Sequence, residues 1–92
     1  MFLHLGQSTI VPYSSIIGIF DLEITSQSKI TRTFLSSEER ARRVINVSEE
    51  LPRSFIVCHE KNTTKVYISQ LSSQTLQKRL ENNILEPKEK AI

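Results

Sequence analysis

Cysteine, glycine and tryptophan are scarce in this 92-residue chain, which has one cysteine (Cys58), two glycines (Gly6 and Gly18) and no tryptophan. A single cysteine excludes an internal disulfide framework and fits a reducing compartment, so a cytoplasmic protein is expected. Neither glycine belongs to a phosphate-cradling loop, which argues against nucleotide-dependent catalysis. Long apolar runs are missing as well. The apolar start at Met1 lacks a cationic flank and stops at Gly6, far short of the ~20 residues of a membrane span, so no signal peptide, anchor or membrane partner is expected. Lysine and arginine are absent from residues 1–28, where only Asp21 and Glu23 carry side-chain charge. That segment holds −2 and the remainder +4, so the net +2 conceals a localised cationic surface.

Catalytic and metal-binding arrangements are also lacking. Cys58 and His59 are neighbours in an expected strand and point to opposite faces, so they form no local dyad, and Cys58 reads as a packed thiol. His4, His59 and Cys58 show no zinc-ligand spacing, so neither a metal site nor another cofactor is expected. Asp21 and Glu23 share a face at period two without a partner that would make them an acid–base pair. No enzyme is expected, and no small-molecule substrate.

What is present is a globular composition, 38% hydrophobic and 24% charged, in a length that supports one core. Residues 1–82 read as one domain, and 83–92, with Pro87 among alternating charges, as a flexible tail. Phe2–Leu5 and Thr9–Pro12 read as two short strands about a turn at 6–8, and the β-rich run Ile16–Leu22 as a buried strand. Hydroxyls at 25–28 announce a helix whose apolar spacing is interrupted near Ser36-Ser37, supported by Glu38–Arg42 and Glu39–Arg43 pairs at i,i+4. Val44–Val47 turns extended, and 48–52 is a polar connector. Ser54–His59 and Lys65–Ser69 form an antiparallel hairpin about 60–64. Ser72 caps a final helix, with Leu71 and Leu76 as its hydrophobic staple and Lys78 and Arg79 near its end. The fold class is α+β: a small, mostly antiparallel sheet with a broken central helix and a C-terminal helix.

Arg40, Arg42, Arg43, Arg53, Lys78 and Arg79 remain as a basic constellation suited to phosphate, because guanidinium donors match its oxygens. The same residues also fit a solvated helix face, two of them neutralised by Glu38 and Glu39. No helix-turn-helix, zinc-finger or RNP pattern assigns a groove.

The chain carries Phe-Leu-His-Leu-Gly at 2–6, Ile-Ile-Gly-Ile-Phe-Asp at 16–21 and Leu-Ser-Ser-Gln-Thr-Leu-Gln-Lys-Arg at 71–79. With Ile10-Val11 and Phe55–Val57, these segments resemble the RemA/RemB family of extracellular matrix (biofilm) regulators, and the RemB branch more closely. The resemblance covers most of residues 1–80. It implies a small α+β fold, assembly into a ring or similar homo-oligomer, and transcriptional control through double-stranded DNA. In the RemA branch, DNA binding is associated with arginines just before the second central strand and just before the late hairpin. Ser15 and Leu51-Pro52 stand at those places here. The expected function is therefore a RemB-like regulator binding DNA through repeated basic patches, with an oligomeric protein–protein adaptor as the alternative.

Overall fold

A computed structural model describes residues 1–25 and 27–85. Strands β1 (Phe2–Gly6) and β2 (Thr9–Pro12) form a two-stranded antiparallel hairpin. A single 3-10 turn, Tyr13–Ser15, leads into β3 (Ile16–Asp21), then the one-turn helix α1 (Leu22–Thr25) and α2 (Lys29–Arg40). Strands β4 (Val44–Asn46), β5 (Ser54–Glu60) and β6 (Thr63–Ser69) and helix α3 (Ser73–Leu85) complete the order. The second sheet runs β3-β5-β6-β4, antiparallel except for the β4–β6 pair. The α+β class and the mostly antiparallel sheet agree with expectation.

Alternation along β5 explains the layering. Ile56 and Cys58 point to one face of the four-stranded sheet, into a core with Leu3, Leu5 and Val11 of the hairpin and Leu76 of α3. Phe55 and Val57 point to the other, where Val66 joins them under Phe34 and Leu35 of α2. Because both faces are covered, five successive residues from Ser54 to Cys58 are buried. The buried strand is thus β5. The Ile16–Leu22 run, expected to be buried, instead supplies the edge strand β3, on which Ile17 is 65% exposed, and Leu22 passes into α1.

Three local expectations change for identifiable reasons. Helix α2 is unbroken through Ser36-Ser37, since two exposed serines cost little propensity where Phe34 and Leu35 just before them are held by the core. Its N-cap is Ser28, whose Oγ accepts from Thr31 N at 3.4 Å. The late hairpin closes on two residues, Lys61 and Asn62, with φ of 54° and 64°, so β5 and β6 run longer than the sequence indicates. The final helix does begin after Ser72, whose Oγ accepts from Thr75 N at 3.1 Å. It continues to Leu85, which puts Lys78 and Arg79 mid-helix rather than at its end. Residues 86–92 of the expected tail lie outside the described residues.

Helix α2 ends in a Schellman motif. Arg43 N donates to Glu38 O at 2.9 Å and Arg42 N to Glu39 O at 3.0 Å, around Arg42 in the left-handed region at φ 61°. Glycine is the residue favoured at that position. Arg42→Gly is expected to stabilise the fold by about 1 kcal/mol, raising Tm by roughly 4–8 °C. An unchanged or lower Tm in a thermal melt would contradict this.

Candidate nucleic-acid interface

The six cations separate by layer. Arg40, Arg42 and Arg43 lie at the end of α2 on one face of the sheet, and Lys78 and Arg79 on α3, against the other. Arg53 precedes β5, where its N donates to Ser69 O at 2.8 Å. Arg43 O accepts from Val66 N across β4–β6. Arg43 and Arg53 therefore flank β6 on opposite sides, about 10 Å apart along the strand and about 10 Å across it.

Two of the six are occupied. Arg43 grips Glu38 with two hydrogen bonds, Nε to Oε1 at 2.8 Å and Nη2 to Oε2 at 2.9 Å. The expected Glu38–Arg42 and Glu39–Arg43 pairs are replaced because the helix stops at Arg40 and the left-handed turn at Arg42 swings Arg43 back over Glu38. Arg79 Nη1 donates to His4 O at 3.2 Å and approaches His4 Nδ1 at 3.3 Å, tying α3 to β1. The other His4 nitrogen meets Gln7 O at 2.6 Å. Among the described residues, Arg40, Arg42, Arg53 and Lys78 are exposed and form no ion pair.

Sequence reasoning missed a stripe on α2. Lys29, Arg32, Thr33, Ser36 and Arg40 line one shallow depression on its outer surface. The signal was available as i, i+3, i+7, i+11 spacing, which places one row of side chains along about 16 Å of helix. Residues 29–43 hold five cations and two carboxylates. This one element with its cap therefore carries net +3, more than the chain's total of +2.

The Glu38–Arg43 pair fixes the stripe's C-terminal end and titrates. Glu38 is buried, yet the Arg43 hydrogen bonds hold its carboxyl below the ordinary value of 4.5, overcoming the upward push of burial, with the guanidinium charge adding a smaller downward pull. A lowered folded-state pKa means stability that is complete above the ordinary carboxylate range and lost as pH falls through it. Glu38→Gln is expected to flatten the fall of Tm between about pH 5 and pH 3 relative to the natural chain. Parallel slopes in the two melting series would refute this.

The remaining candidates are structural. Cys58 is buried, and burial pushes its thiol pKa up against a smaller downward pull from the neighbouring Ser15 hydroxyl, with Glu60 adding a smaller upward push. His59 points to the opposite face and shares a 3.0 Å hydrogen bond with Thr64 Oγ1. Asp21 ends β3, and its Oδ1 accepts from Ile24 N at 2.9 Å to cap α1. Among the described residues, no group of three His, Cys, Asp or Glu side chains is placed to hold a metal, and no helix is long and apolar enough to cross a membrane. At the positions compared with the RemA arginines, Ser15 is buried and donates to Pro12 O at 2.7 Å, and Leu51 and Pro52 are exposed.

Comparison with known proteins supplies the family. The RemA-like family model, described as extracellular matrix regulatory protein A-like, matches residues 2–80. Extracellular matrix regulatory protein B of Bacillus subtilis (strain 168) is 34% identical over 79 residues, covering 86% of this chain and 89% of that protein. The match spans both strand layers and the greater part of α3, so the chain belongs to the RemA/RemB family of extracellular matrix regulatory proteins, in its RemB branch.

Proposed function

We propose that this chain is a cytoplasmic homo-oligomeric regulator, without enzymatic activity, that binds double-stranded DNA through repeated basic patches and so controls transcription of extracellular matrix genes. The observation that carries the reading is the α2 stripe, which concentrates net +3 on one helix and its cap. A row of cations about 16 Å long tracks a phosphate backbone and reads little sequence by itself. Arg40 is its exposed C-terminal end, and the exposed Arg42 follows in the cap. A single copy is a weak site. Repetition in an oligomer multiplies the contacts through effective concentration.

The test is a gel shift with salt titration on Arg40→Ala combined with Arg42→Gly. The second substitution favours the fold while removing a cation, so lost binding is not lost structure. Affinity is expected to fall at least about tenfold at ~100 mM salt, and the log–log salt slope to shrink by about one per phosphate contact removed. No binding by the natural chain at ~50 mM salt, or affinity indifferent to salt, would sink the reading.

The adaptor reading is favoured by one observation. Leu51, 82% exposed, and Pro52 stand where an arginine pair would have met phosphate. An apolar corner there suits a protein partner. Under that reading the natural chain shows no salt-dependent DNA affinity to lose.

A further inference from the structure

The ribbon formed by β5 and β6 outreaches the hairpin that covers one of its faces. On that face Ile56 and Ser69 are fully buried beneath β1, β2 and α3, whereas Lys65, Glu60 and Thr63 farther along are exposed. Where the cover ends, a cavity of about 390 Å³ opens between β2, the 3-10 turn and the ribbon. That size falls among small-molecule sites and holds about a dozen waters at ~30 Å³ each. The floor is buried, with Val11, Ser15 and Cys58 at 2%, 5% and 5% exposure. Ile10 and Pro12 extend Val11 into an apolar wall.

The opposite wall is polar and uncommitted. Tyr67, Lys65 and Thr63 alternate along β6 onto this face about 7 Å apart, paired with Ile56, Cys58 and Glu60 of β5. Among the described residues the Tyr67 hydroxyl makes no hydrogen bond, and Lys61, Lys65 and Glu60 form no ion pair. Burial pushes both the Tyr67 phenol and the Cys58 thiol up, so each keeps its proton. Tyr67 is therefore available as a donor, and Cys58 presents no charge. Two ammonium groups and one carboxylate remain around the cavity, a net charge of +1. Lys65 stands directly opposite Cys58 of the floor, while Glu60 is displaced two residues toward the open end.

We propose that this cavity binds a small organic carboxylate, whose anionic group is held by Lys65 and Tyr67 and whose apolar body packs against Ile10 and Pro12. One negative charge matches the net charge of the site, and an ammonium and a phenol hydroxyl on adjacent same-face positions of β6 supply two charge-assisted hydrogen bonds. The apolar wall sets the class as an organic acid, because an inorganic anion would leave Ile10 and Pro12 without a partner. An occupant touches β2 of the hairpin and β5 and β6 of the larger sheet at once. It therefore joins the two sheets and stabilises the fold that holds it. This site lies on the sheet face opposite α2, so it stands independently of the DNA reading above.

The test titrates the full chain with sodium benzoate at constant ionic strength, with benzyl alcohol as the uncharged counterpart. Saturable amide chemical-shift changes are expected at Ser15, Cys58, Lys65 and Tyr67, with a Kd of about 1 mM or tighter for so small a probe. Benzoate at about ten times Kd is expected to raise Tm by roughly 5–10 °C. Benzyl alcohol is expected to bind at least about tenfold more weakly. Lys65→Met keeps the aliphatic stem of an exposed side chain, and Tyr67→Phe removes an oxygen that bonds no protein group, so both keep the fold, checked by circular dichroism without ligand. Lys65→Met is expected to weaken benzoate at least about tenfold and to leave benzyl alcohol within about twofold, and Tyr67→Phe to weaken benzoate about fivefold. Absence of saturable shifts, shifts confined to the α2 stripe, benzyl alcohol binding as tightly as benzoate, or a folded Lys65→Met variant that binds benzoate normally would overturn the proposal.

Discussion

Leu76→Ala is expected to cost about 3 kcal/mol, within the 2–5 kcal/mol usual for a buried leucine, and to lower Tm by roughly 12–24 °C. Leu76 is fully buried and touches the core that holds Leu3, Leu5 and Val11 of the hairpin and Ile56 of the central strand. It is the one fully buried side chain among the described side chains of α3, the others being half-buried or exposed. Removing three carbons there leaves a cavity that three separate elements cannot close together. A chain of this length has a total stability of only about 5–14 kcal/mol, so the loss is a large fraction of it. Leu80→Ala, at a half-buried position on the same helix, should cost less than half as much. Urea melts at one protein concentration check both. A loss below about 1 kcal/mol for Leu76→Ala would mean that α3 does not hold the hairpin to the sheet.

Leu76 was legible in sequence because its role is local. Ser72, Leu71 and Leu76 stand at cap and staple spacing, and the structure places them in those roles. Strand existence was legible for the same reason, through β-rich runs between turn residues. What failed is which strand is central. Ile16–Phe20 is as apolar as Phe55–Cys58, and nothing in either run states that a hairpin and α3 cover one face of β5 while α2 covers the other. Strand order is a property of long-range pairing, invisible to a window of ten residues. The exposed face of Ile17 and Phe20 is therefore the feature that sequence concealed.

The cations show a second limit. Pairing Glu38 with Arg42 and Glu39 with Arg43 at i,i+4 spacing assumed a helix that continues through them. The helix ends at Arg40, and the left-handed Arg42 redirects Arg43 onto Glu38. A non-glycine residue in that conformation is uncommon, so a spacing argument had no signal for it. Arg79 illustrates the same point across 75 residues, since its partner is His4 of the first strand. Lys29 and Arg32 were overlooked for the opposite reason. Their i, i+3, i+11 spacing with Arg40 fits one row of the helix, but three cations spread over about 16 Å form no cluster along the sequence.

Ser69→Ala is expected to cost about 2–4 kcal/mol, an effect out of proportion to one oxygen atom. Ser69 is fully buried at the end of β6, directly opposite Ser54, which is equally buried at the start of β5. Ser69 Oγ donates to Leu5 O at 2.6 Å and accepts from Leu71 N at 3.0 Å, so one hydroxyl joins the hairpin, the sheet and the approach to α3. Alanine strands both a carbonyl and an amide out of water, at about 1–3 kcal/mol each. Ser54 Oγ donates to Leu71 O at 2.8 Å, so Ser54→Ala should cost about 1–2 kcal/mol by freeing one group. Because both serines hold the same peptide neighbourhood at Leu71, the double variant should lose less than the two single losses together, with a coupling of about 0.5 kcal/mol or more. Denaturant melts of the three variants give that coupling directly. Strict additivity, or a Ser69→Ala loss under about 1 kcal/mol, would mean that the hydroxyl does not bridge these elements.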